Sequence, residues 1–289
     1  MQNPKYINAS GTETRYFEAG KGEPLVLVHG GTFGAFSSAE DWEQAFDKLA
    51  EHFHVFAIDR LGQGHTDNPK SDADYLIGAT VEHLHNFIKA AGIGKAHLAG
   101  HSNGGYNVCR LALEHPEDAL SVIIVDSATM VRNVPHWYED MEQKALKLPT
   151  AREQNRYRMA ANSFSGSHVT DFWLDASVKI EQLPKFQQAA AKMEKLRARF
   201  QQDRTERQKE THAWIRAGRL TAPTLMVWAY NDPSAKFDPF CLELMSIIFP
   251  NVPKAQLHVL NQAGHYCYRE QPDGFVAVVK GFVDSLKKA

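Results

Sequence analysis

The stretch Gly-His-Ser-Asn-Gly at positions 100–104 constrains the fold of this chain more than any other feature. The alternating apolar residues just before it, Lys95–Ala99, predict a short strand, and those of Tyr106–His115 recur at helical spacing. A glycine on each side of the serine lets the backbone turn tightly, because a side chain there would clash. The pattern therefore predicts a strand, a sharp turn and a helix, with the hydroxyl of Ser102 exposed at the edge of a sheet. Taken alone, it is also compatible with an ordinary strand-to-helix turn in which Ser102 caps the helix.

Short apolar runs alternate with helical patterns along most of the chain. The predicted strands are 14–18, 24–29, 54–58, 95–99, 120–125, 224–228 and 256–260, and the predicted helices are 42–50, 81–91, 106–115, 238–249 and 272–287. Strands that are separated by helices of about ten residues indicate a parallel sheet with helices on both faces. The predicted fold class is therefore α/β, with a mostly parallel sheet.

This alternation is interrupted between residues 130 and 219, where no convincing apolar strand occurs. Apolar residues recur there at helical spacing, which predicts a mainly helical insertion. We therefore divide the chain into a core of residues 1–129 and 220–289 and a helical lid of residues 130–219. Because open α/β sheets bind ligands at the carboxyl ends of their strands, the lid is expected to cover that edge.

The predicted lid carries an excess of positive charge, with eight Lys or Arg and four Asp or Glu at positions 185–210. These cations either solvate an outer helix face or bind a substrate carboxylate. Helical spacing places Arg197 at the border of the apolar face and Arg204 further around the helix. Arg197 is therefore the predicted carboxylate ligand, with Lys179 and Arg156 as alternatives.

The composition excludes several classes of function. A net charge of −2 gives no support for nucleic-acid binding, and no apolar run is long enough for a signal sequence or a membrane span. The three cysteines, Cys109, Cys241 and Cys267, have no metal-like spacing and favour a reducing compartment. We therefore expect a cytoplasmic protein that acts on a small-molecule substrate, with no metal, cofactor, nucleic acid or membrane as partner. Whether the chain forms a homo-oligomer is left open by the sequence.

Three residues with complementary chemistry follow predicted strands, in the order Ser102, Asp232 and His265. A serine hydroxyl is a poor nucleophile until an adjacent imidazole takes its proton, and the imidazole needs a carboxylate to fix its tautomer. The order Ser, acid, His is the one expected for a serine nucleophile on an α/β sheet. Asp126 also follows a predicted strand and is an alternative to Asp232 as the acid.

Taken together, these motifs resemble those of the α/β-hydrolase family over about residues 14–288. The matching segments lie at strand ends and are His-Gly-Gly at 29–31, Gly-His-Ser-Asn-Gly-Gly at 100–105, Trp-Ala-Tyr-Asn-Asp at 228–232 and Ala-Gly-His at 263–265. The resemblance implies an α/β-hydrolase fold with a helical lid, and a serine hydrolase that needs no cofactor. It also implies an oxyanion hole formed by the backbone N–H groups of Gly31 and Asn103.

Within that family the chain is most similar to the meta-cleavage-product hydrolases, which cleave a C–C bond in ring-opened aromatic compounds. The similarity includes residues 12–22, residues 29–35 and the Ser-x-Gly-Gly turn. It implies that the substrate is a ring-fission product or a similar small keto or ester compound. The substrate-binding residues that it implies are Gly30, Phe33, His101 and Tyr266.

Three positions depart from the residues that are typical of that subfamily. His101 and Asp41 stand where asparagine is typical, and Tyr266 stands where tryptophan is typical. Because the polar pocket is altered, a carboxylesterase or lactonase is the alternative interpretation. A slow, receptor-like ligand binder is a further alternative that this fold supports.

Overall fold

The computed structural model describes residues 1–132 and 137–287, and these form one central sheet with helices around it. Within these residues the sheet has eight strands in the order β1-β2-β4-β3-β5-β6-β7-β8. The strands are β1 (Lys5–Ala9), β2 (Thr12–Ala19), β3 (Pro24–Val28), β4 (His54–Ile58), β5 (Ala96–His101), β6 (Ala119–Val125), β7 (Thr224–Ala229) and β8 (Gln256–Leu260). β2 pairs antiparallel with β1 and β4, and all other neighbours pair parallel. The predicted mostly parallel sheet is therefore confirmed.

Helices cover both faces of the sheet. Those of the described residues are α1 (Glu43–Ala50), α2 (Ile77–Ala90), α3 (Asn103–Glu114), α4 (Trp137–Ala145), α5 (Ala151–Ala161), α6 (Asp171–Glu181), α7 (Pro184–Arg216), α8 (Leu242–Ile248), α9 (Cys267–Glu270) and α10 (Pro272–Lys287). Val26 and Val28 of β3 share a core with α2, α3 and α8, whereas Leu25 and Leu27 share a core with α1 and α10. Successive side chains of a strand point to opposite faces, so a strand between two helical layers is apolar throughout. The helices on both faces confirm that part of the prediction.

Helices α4–α7 lie between β6 and β7 and span residues 137–216. The described residues of this stretch contain no strand, and residues 133–136 of the predicted lid lie outside the described residues. α7 has 33 residues and begins at Pro184, a position where the fixed backbone angle of proline favours a helix start. No helix in the described part of the chain has both the length and the apolar character that crossing a membrane requires.

Strand β1 is absent from the sequence prediction, which interprets the first ten residues only as polar. β1 pairs with β2 alone at the edge of the sheet, and three of its five residues are exposed. An edge strand with one neighbour and a solvated face needs few apolar side chains, so it leaves little hydrophobic pattern. β1 can therefore be recognised only from its pairing with β2.

Parallel pairing brings the predicted motifs to one edge of the sheet. β3, β5, β7 and β8 run in the same direction, so the loops after their carboxyl ends share that edge. Gly30, Ser102, Asp232 and His265 all belong to these loops. The fold therefore positions residues from four distant segments for one site.

Candidate active site

Ser102 occupies a sharp turn between β5 and α3. Its backbone has φ 54° and ψ −120°, which is a strained conformation for a residue with a side chain. The turn is held by its N–H, which donates to the carbonyl of Val125 at 2.9 Å. A Cβ on Gly100 would lie 2.1 Å from the carbonyl oxygen of Gly104, so only glycine fits there. The two glycines thus permit the close crossing of strand and helix that projects the serine outward.

Asp232 and His265 form a buried hydrogen-bonded pair. Nδ1 of His265 lies 2.6 Å from Oδ2 of Asp232, and both side chains are almost fully buried. The other carboxylate oxygen accepts hydrogen bonds from the N–H and hydroxyl of Ser234 and from the N–H of Ala235. A carboxylate with these donors is fixed in place, and it leaves Nε2 of His265 as the nitrogen that faces away from the pair.

Asp126 makes different contacts. Its Oδ1 accepts a hydrogen bond from the N–H of Ala229 at 2.7 Å, which ties the end of β6 to the end of β7. Burial raises the pKa of Asp126 well above its ordinary value, and the negative charge of Asp232 raises it further. A neutral carboxyl that accepts a hydrogen bond from a backbone N–H has a structural role. The carboxylate that bonds to His265 is that of Asp232.

The loop at Gly30 and Gly31 is anchored by a buried arginine. Nη1 of Arg60 donates to the carbonyl of Gly31 at 2.8 Å, to that of Gly30 at 3.1 Å and to the amide oxygen of Gln63. Gly31 has a positive φ of 77°, a conformation that favours glycine. Arg60 is not among the residues predicted from the sequence, although the glycines of its loop after β4 are a visible signal.

Asn103 is the first residue of α3, directly after Ser102. The N–H groups of a first helical turn have no partner within the helix and carry the positive end of its dipole. Both Asn103 and Gly31 line the same cavity as Ser102. The two residues of the predicted oxyanion hole thus lie at one cavity with the serine.

His101 lies against the ring of His265, with ring centroids 4.5 Å apart. Its Nδ1 is 3.2 Å from the hydroxyl of Tyr268. Burial lowers the pKa of His101 well below its ordinary value, and the charge of His265 lowers it further. A neutral ring at this position does not compete with His265 for a proton.

One cavity of about 620 Å³ contains Ser102 and most of the predicted site. Its lining includes the predicted residues Gly30, Gly31, His101, Ser102, Asn103, His265 and Tyr266. Phe33 is not among them, although its neighbours Thr32 and Gly34 are. Its ring is buried against Tyr75 and Phe200, at centroid distances of 5.0 and 6.1 Å. An aromatic side chain beside a glycine loop can pack in the core or line a pocket, and the ring of Phe33 packs in the core.

The cations of the cavity differ from those favoured by the sequence. Arg197 lines the cavity as expected, but Lys179 and Arg156 do not. Arg156 is exposed and pairs with Asp171 at 3.4 Å. Arg204 lines the cavity, which corrects its placement further around the helix. It lies four residues after Phe200, which puts both on one face of α7.

Arg204 is a half-buried cation without an ion pair among the described residues. Its Nε is buried with no hydrogen-bond partner, and its guanidinium lies 5.8 Å from the ring of Phe200. Burial lowers the pKa of Arg204 from its ordinary value. A half-buried cation that lines a cavity can form a charge-assisted hydrogen bond with an anion there, so Arg204 is the stronger candidate for binding a carboxylate.

Asp41 also lines the cavity, and its side chain is almost fully buried. Its Oδ1 accepts a 2.8 Å hydrogen bond from the indole N–H of Trp173. Burial raises the pKa of Asp41 to about 7. In the sequence, Asp41 stands out only as a departure from the residue typical of the subfamily, and no local pattern indicates that it belongs to the site.

Glu270 links the loop of His265 to the end of α5. One carboxylate oxygen accepts from the N–H of Gly264 at 2.7 Å, and the other accepts from the N–H groups of Phe164 and Ser165. The N–H of His265 donates to the carbonyl of Asn162. The backbone around the imidazole is thus bonded directly to the helical insertion.

Comparisons with known proteins agree with this fold. A family model described as "alpha/beta hydrolase fold" matches residues 23–272. Among solved structures, a mutant meta-cleavage product hydrolase from Pseudomonas fluorescens IP01, complexed with acetates, is 25% identical and covers 98% of both chains, with a TM-score of 0.78.

Curated relatives carry two kinds of name. The 2-hydroxy-6-oxo-6-(2'-aminophenyl)hexa-2,4-dienoic acid hydrolase of Metapseudomonas resinovorans is 34% identical over 173 residues, and the match spans 60% of this chain and 57% of that relative. Lipase 3 of Moraxella sp. (strain TA144) is 29% identical, over 97% of this chain and 84% of the relative. The chain is thus similar both to C–C bond hydrolases and to lipases.

Proposed function

Because the chain belongs to the α/β-hydrolase family, we propose that it is a serine hydrolase with Ser102 as nucleophile, His265 as general base and Asp232 as the acid. The observation that carries the proposal is the 2.6 Å hydrogen bond between Asp232 and His265, whose imidazole lines the same cavity as Ser102. A surface serine with no oriented base would have no means of losing its proton.

The reaction follows from these positions. Nε2 of His265 accepts the proton of the Ser102 hydroxyl as its oxygen attacks a substrate carbonyl. The N–H groups of Gly31 and Asn103 stabilise the resulting oxyanion, and Asp232 stabilises the imidazolium. Collapse of the tetrahedral intermediate breaks the bond to the leaving group, which takes the proton from His265. Water, deprotonated by the same imidazole, then hydrolyses the acyl-enzyme.

The proposed substrate is a ring-fission product that carries a carboxylate, and the bond cleaved is a C–C bond next to a ketone. The names of the C–C hydrolase relatives support this substrate class. So does Arg204, because a half-buried cation in the cavity without an ion pair in the described chain is suited to a substrate carboxylate.

A carboxylesterase or lactonase is the second candidate. Asp41 lines the same cavity, and its ionised form would repel an anionic substrate. A neutral ester or lactone would bind beside Asp41 without that repulsion, and the lipase relative belongs to this class of activity. A receptor-like binder is the weaker proposal, since a buried Asp–His pair whose imidazole lines the same cavity as a serine has no use in ligand binding alone.

We assign the role of lid to residues 130–219. Met141, Phe186 and Met193 of α4 and α7 line the cavity together with Ser102. Because these side chains come from the insertion and the reacting groups come from strand ends, the lid would select the substrate while the core performs the chemistry.

The test measures kcat/KM for a ring-fission dienoate, its methyl ester, p-nitrophenyl esters and lactones. Ser102→Ala should lower kcat by about 10³-fold or more for every substrate. Arg204→Gln should raise KM for the dienoate by about 10-fold or more, because a charge-assisted hydrogen bond contributes about 1.5–3 kcal/mol, and it should leave the methyl ester unaffected.

Arg156→Gln is the matched control, because Arg156 is an exposed arginine of the insertion outside the cavity. Its kinetics should equal those of the wild type. Turnover of esters with no cleavage of the dienoate would establish the esterase alternative. Undiminished turnover by a folded Ser102→Ala variant would refute the proposed nucleophile.

A further inference from the structure

A cluster of imidazole and carboxylate groups lies away from the cavity, where α2 meets the segment that follows α3. The rings of His85 and His115 are stacked, with centroids 3.7 Å apart and planes at 17°. One potential ligand atom from each of His85, His115 and Glu117 lies within 4.8 Å of the others. No other such group of three is found among the residues that the structure describes.

A second carboxylate orients one of these rings. Nδ1 of His85 lies 2.6 Å from Oδ2 of Asp118, whose side chain is 3% exposed. A buried carboxylate that accepts the Nδ1 proton fixes the tautomer of an imidazole and leaves Nε2 with a free lone pair. Metal-binding histidines usually have a partner of this kind on the ring nitrogen that does not bind the ion.

Carboxylates also surround the second ring. Oε1 of Glu117 lies 3.5 Å from Nδ1 of His115, and Oε2 of Glu82 lies 3.9 Å from Nε2. The ammonium of Lys89 lies 3.6 Å from Oδ1 of Asp118 and is half exposed. The cluster is therefore rich in nitrogen and oxygen donors and is reachable from solvent.

We propose that His85, His115 and Glu117 form a binding site for a divalent transition-metal ion such as Zn²⁺. The ligands would be Nε2 of His85, Nδ1 of His115 and the carboxylate of Glu117, with solvent or Glu82 completing the set. Imidazole and carboxylate ligands suit Zn²⁺, Co²⁺, Ni²⁺ and Cu²⁺ rather than Ca²⁺ or Mg²⁺.

Binding requires the ligand atoms to move closer together and the two rings to leave their stack, because an imidazole binds a metal ion in the plane of its ring. A tetrahedral ion with bonds of about 2.0–2.2 Å holds its ligand atoms about 3.3 Å apart. The Glu117 side chain is 55% exposed and that of His115 is 25% exposed, so both have room to rotate toward the ion. The stack keeps the two imidazoles close, and the partly exposed His115 is the ring that would rotate out of it.

The role of this site would be structural. α3 begins directly after Ser102 and has 12 residues, so His115 lies at its far end, about 18 Å away along the helix axis. An ion there would connect α2 to the end of α3 without touching the cavity. It would stabilise the folded state by mass action and leave hydrolysis unchanged.

The experiment uses the full chain without a histidine tag, freed of metal by chelator and then dialysed. Zn²⁺ binding is measured by titration calorimetry, and Co²⁺ serves as a spectroscopic probe. We expect one equivalent of Zn²⁺ to bind, and the melting temperature to rise with Zn²⁺ and return with EDTA. His115→Ala and Glu117→Gln should weaken binding by at least about 10-fold.

Asp118→Asn tests the orienting carboxylate, and it should weaken binding by about 10- to 100-fold although Asp118 is not a ligand. His258→Ala is the matched control, because His258 is an exposed histidine on β8, and it should bind as the wild type does. Circular dichroism confirms that each variant is folded. The proposal is overturned if the wild type binds no Zn²⁺ up to about 100 µM, or if His258→Ala and His115→Ala weaken binding equally.

Discussion

The indole N–H of Trp173 on α6 donates a 2.8 Å hydrogen bond to the carboxyl of Asp41, which precedes α1. This bond joins the helical insertion to the core at the wall of the cavity. The guanidinium of Arg269 lies near the same pair, since it donates to the backbone carbonyl of Asp41 at 2.9 Å and stacks on the Trp173 ring. Despite this cation, burial keeps the pKa of Asp41 at about 7.

Asp41→Asn should therefore change how stability depends on pH. With a pKa of about 7 when folded and an ordinary value of 3.8, the carboxyl binds more protons in the folded than in the unfolded chain between these values. Its contribution to stability falls as the pH rises through that range. Asparagine keeps the bond from Trp173 and has no such loss. Relative to the wild type, the variant should gain about 2–3 kcal/mol between pH 5 and pH 8.5.

Urea denaturation at the two pH values measures this difference. A stability difference between the variant and the wild type that is the same at both pH values would show that Asp41 is already ionised at pH 5.

Asp232→Asn and Asp126→Asn should have very different effects on turnover. Asp232→Asn leaves the imidazole of His265 in the wrong tautomer and should lower kcat by about 10⁴-fold. Asp126→Asn resembles the neutral carboxyl that burial favours, and it retains an oxygen for the N–H of Ala229. Its kcat should stay near the wild-type value. Steady-state kinetics on one ester measures kcat for both variants. A large fall in kcat for Asp126→Asn, with little change for Asp232→Asn, would reverse the assignment.

Arg60→Met should lower kcat more than it raises KM. The variant removes the donors that hold the carbonyls of Gly30 and Gly31, so the N–H of Gly31 would no longer be fixed near the oxyanion. Loss of a complete oxyanion donor costs about 10²–10³ in kcat, and we expect about 10- to 100-fold for its misplacement. Arg60→Lys should recover part of the rate. A fall in active protein concentration with unchanged kcat per active site would instead indicate a purely structural role.

Arg15→Met should destabilise the fold through two buried carboxylates. Arg15 donates to Asp59 at 2.6 Å and to both oxygens of Glu40, and all three side chains are buried. Removal of the cation leaves two unpaired buried charges, which costs about 3–5 kcal/mol. The free energy of unfolding in urea measures the loss, and the double variant Arg15→Met, Glu40→Leu should recover part of it. No recovery would mean that packing around Arg15, rather than charge, sets the cost.

The features that the sequence predicts well depend on local sterics and on burial. The turn at Ser102 requires glycine at positions 100 and 104, and that requirement is visible in the residue types themselves. Buried parallel strands are apolar on both faces, so most of the sheet follows from the positions of apolar runs. Their shared direction then brings Ser102, Asp232 and His265 to one edge.

Other features depend on contacts between distant segments. The role of Arg60 requires the carbonyls of a loop some 30 residues earlier, and the raised pKa of Asp41 requires the burial that α6 and α9 complete. The four-residue spacing from Phe200 is enough to put Arg204 on the cavity face of α7. The prediction from sequence placed it further around the helix instead. Phe33 shows the converse, since its place in the core depends on Tyr75 and Phe200.

The bonds of Glu270 bear on how this protein could be re-engineered. Because one carboxylate holds both the loop of His265 and residues 164–165, the helical insertion is not an exchangeable module. A chimaera that takes the whole insertion from a relative would gain a new cavity lining and lose the hydrogen bonds that hold the loop of His265, the proposed general base. Grafts that retain residues 162–165 and Glu270 should keep their turnover on small esters, whereas grafts across these positions should lose it.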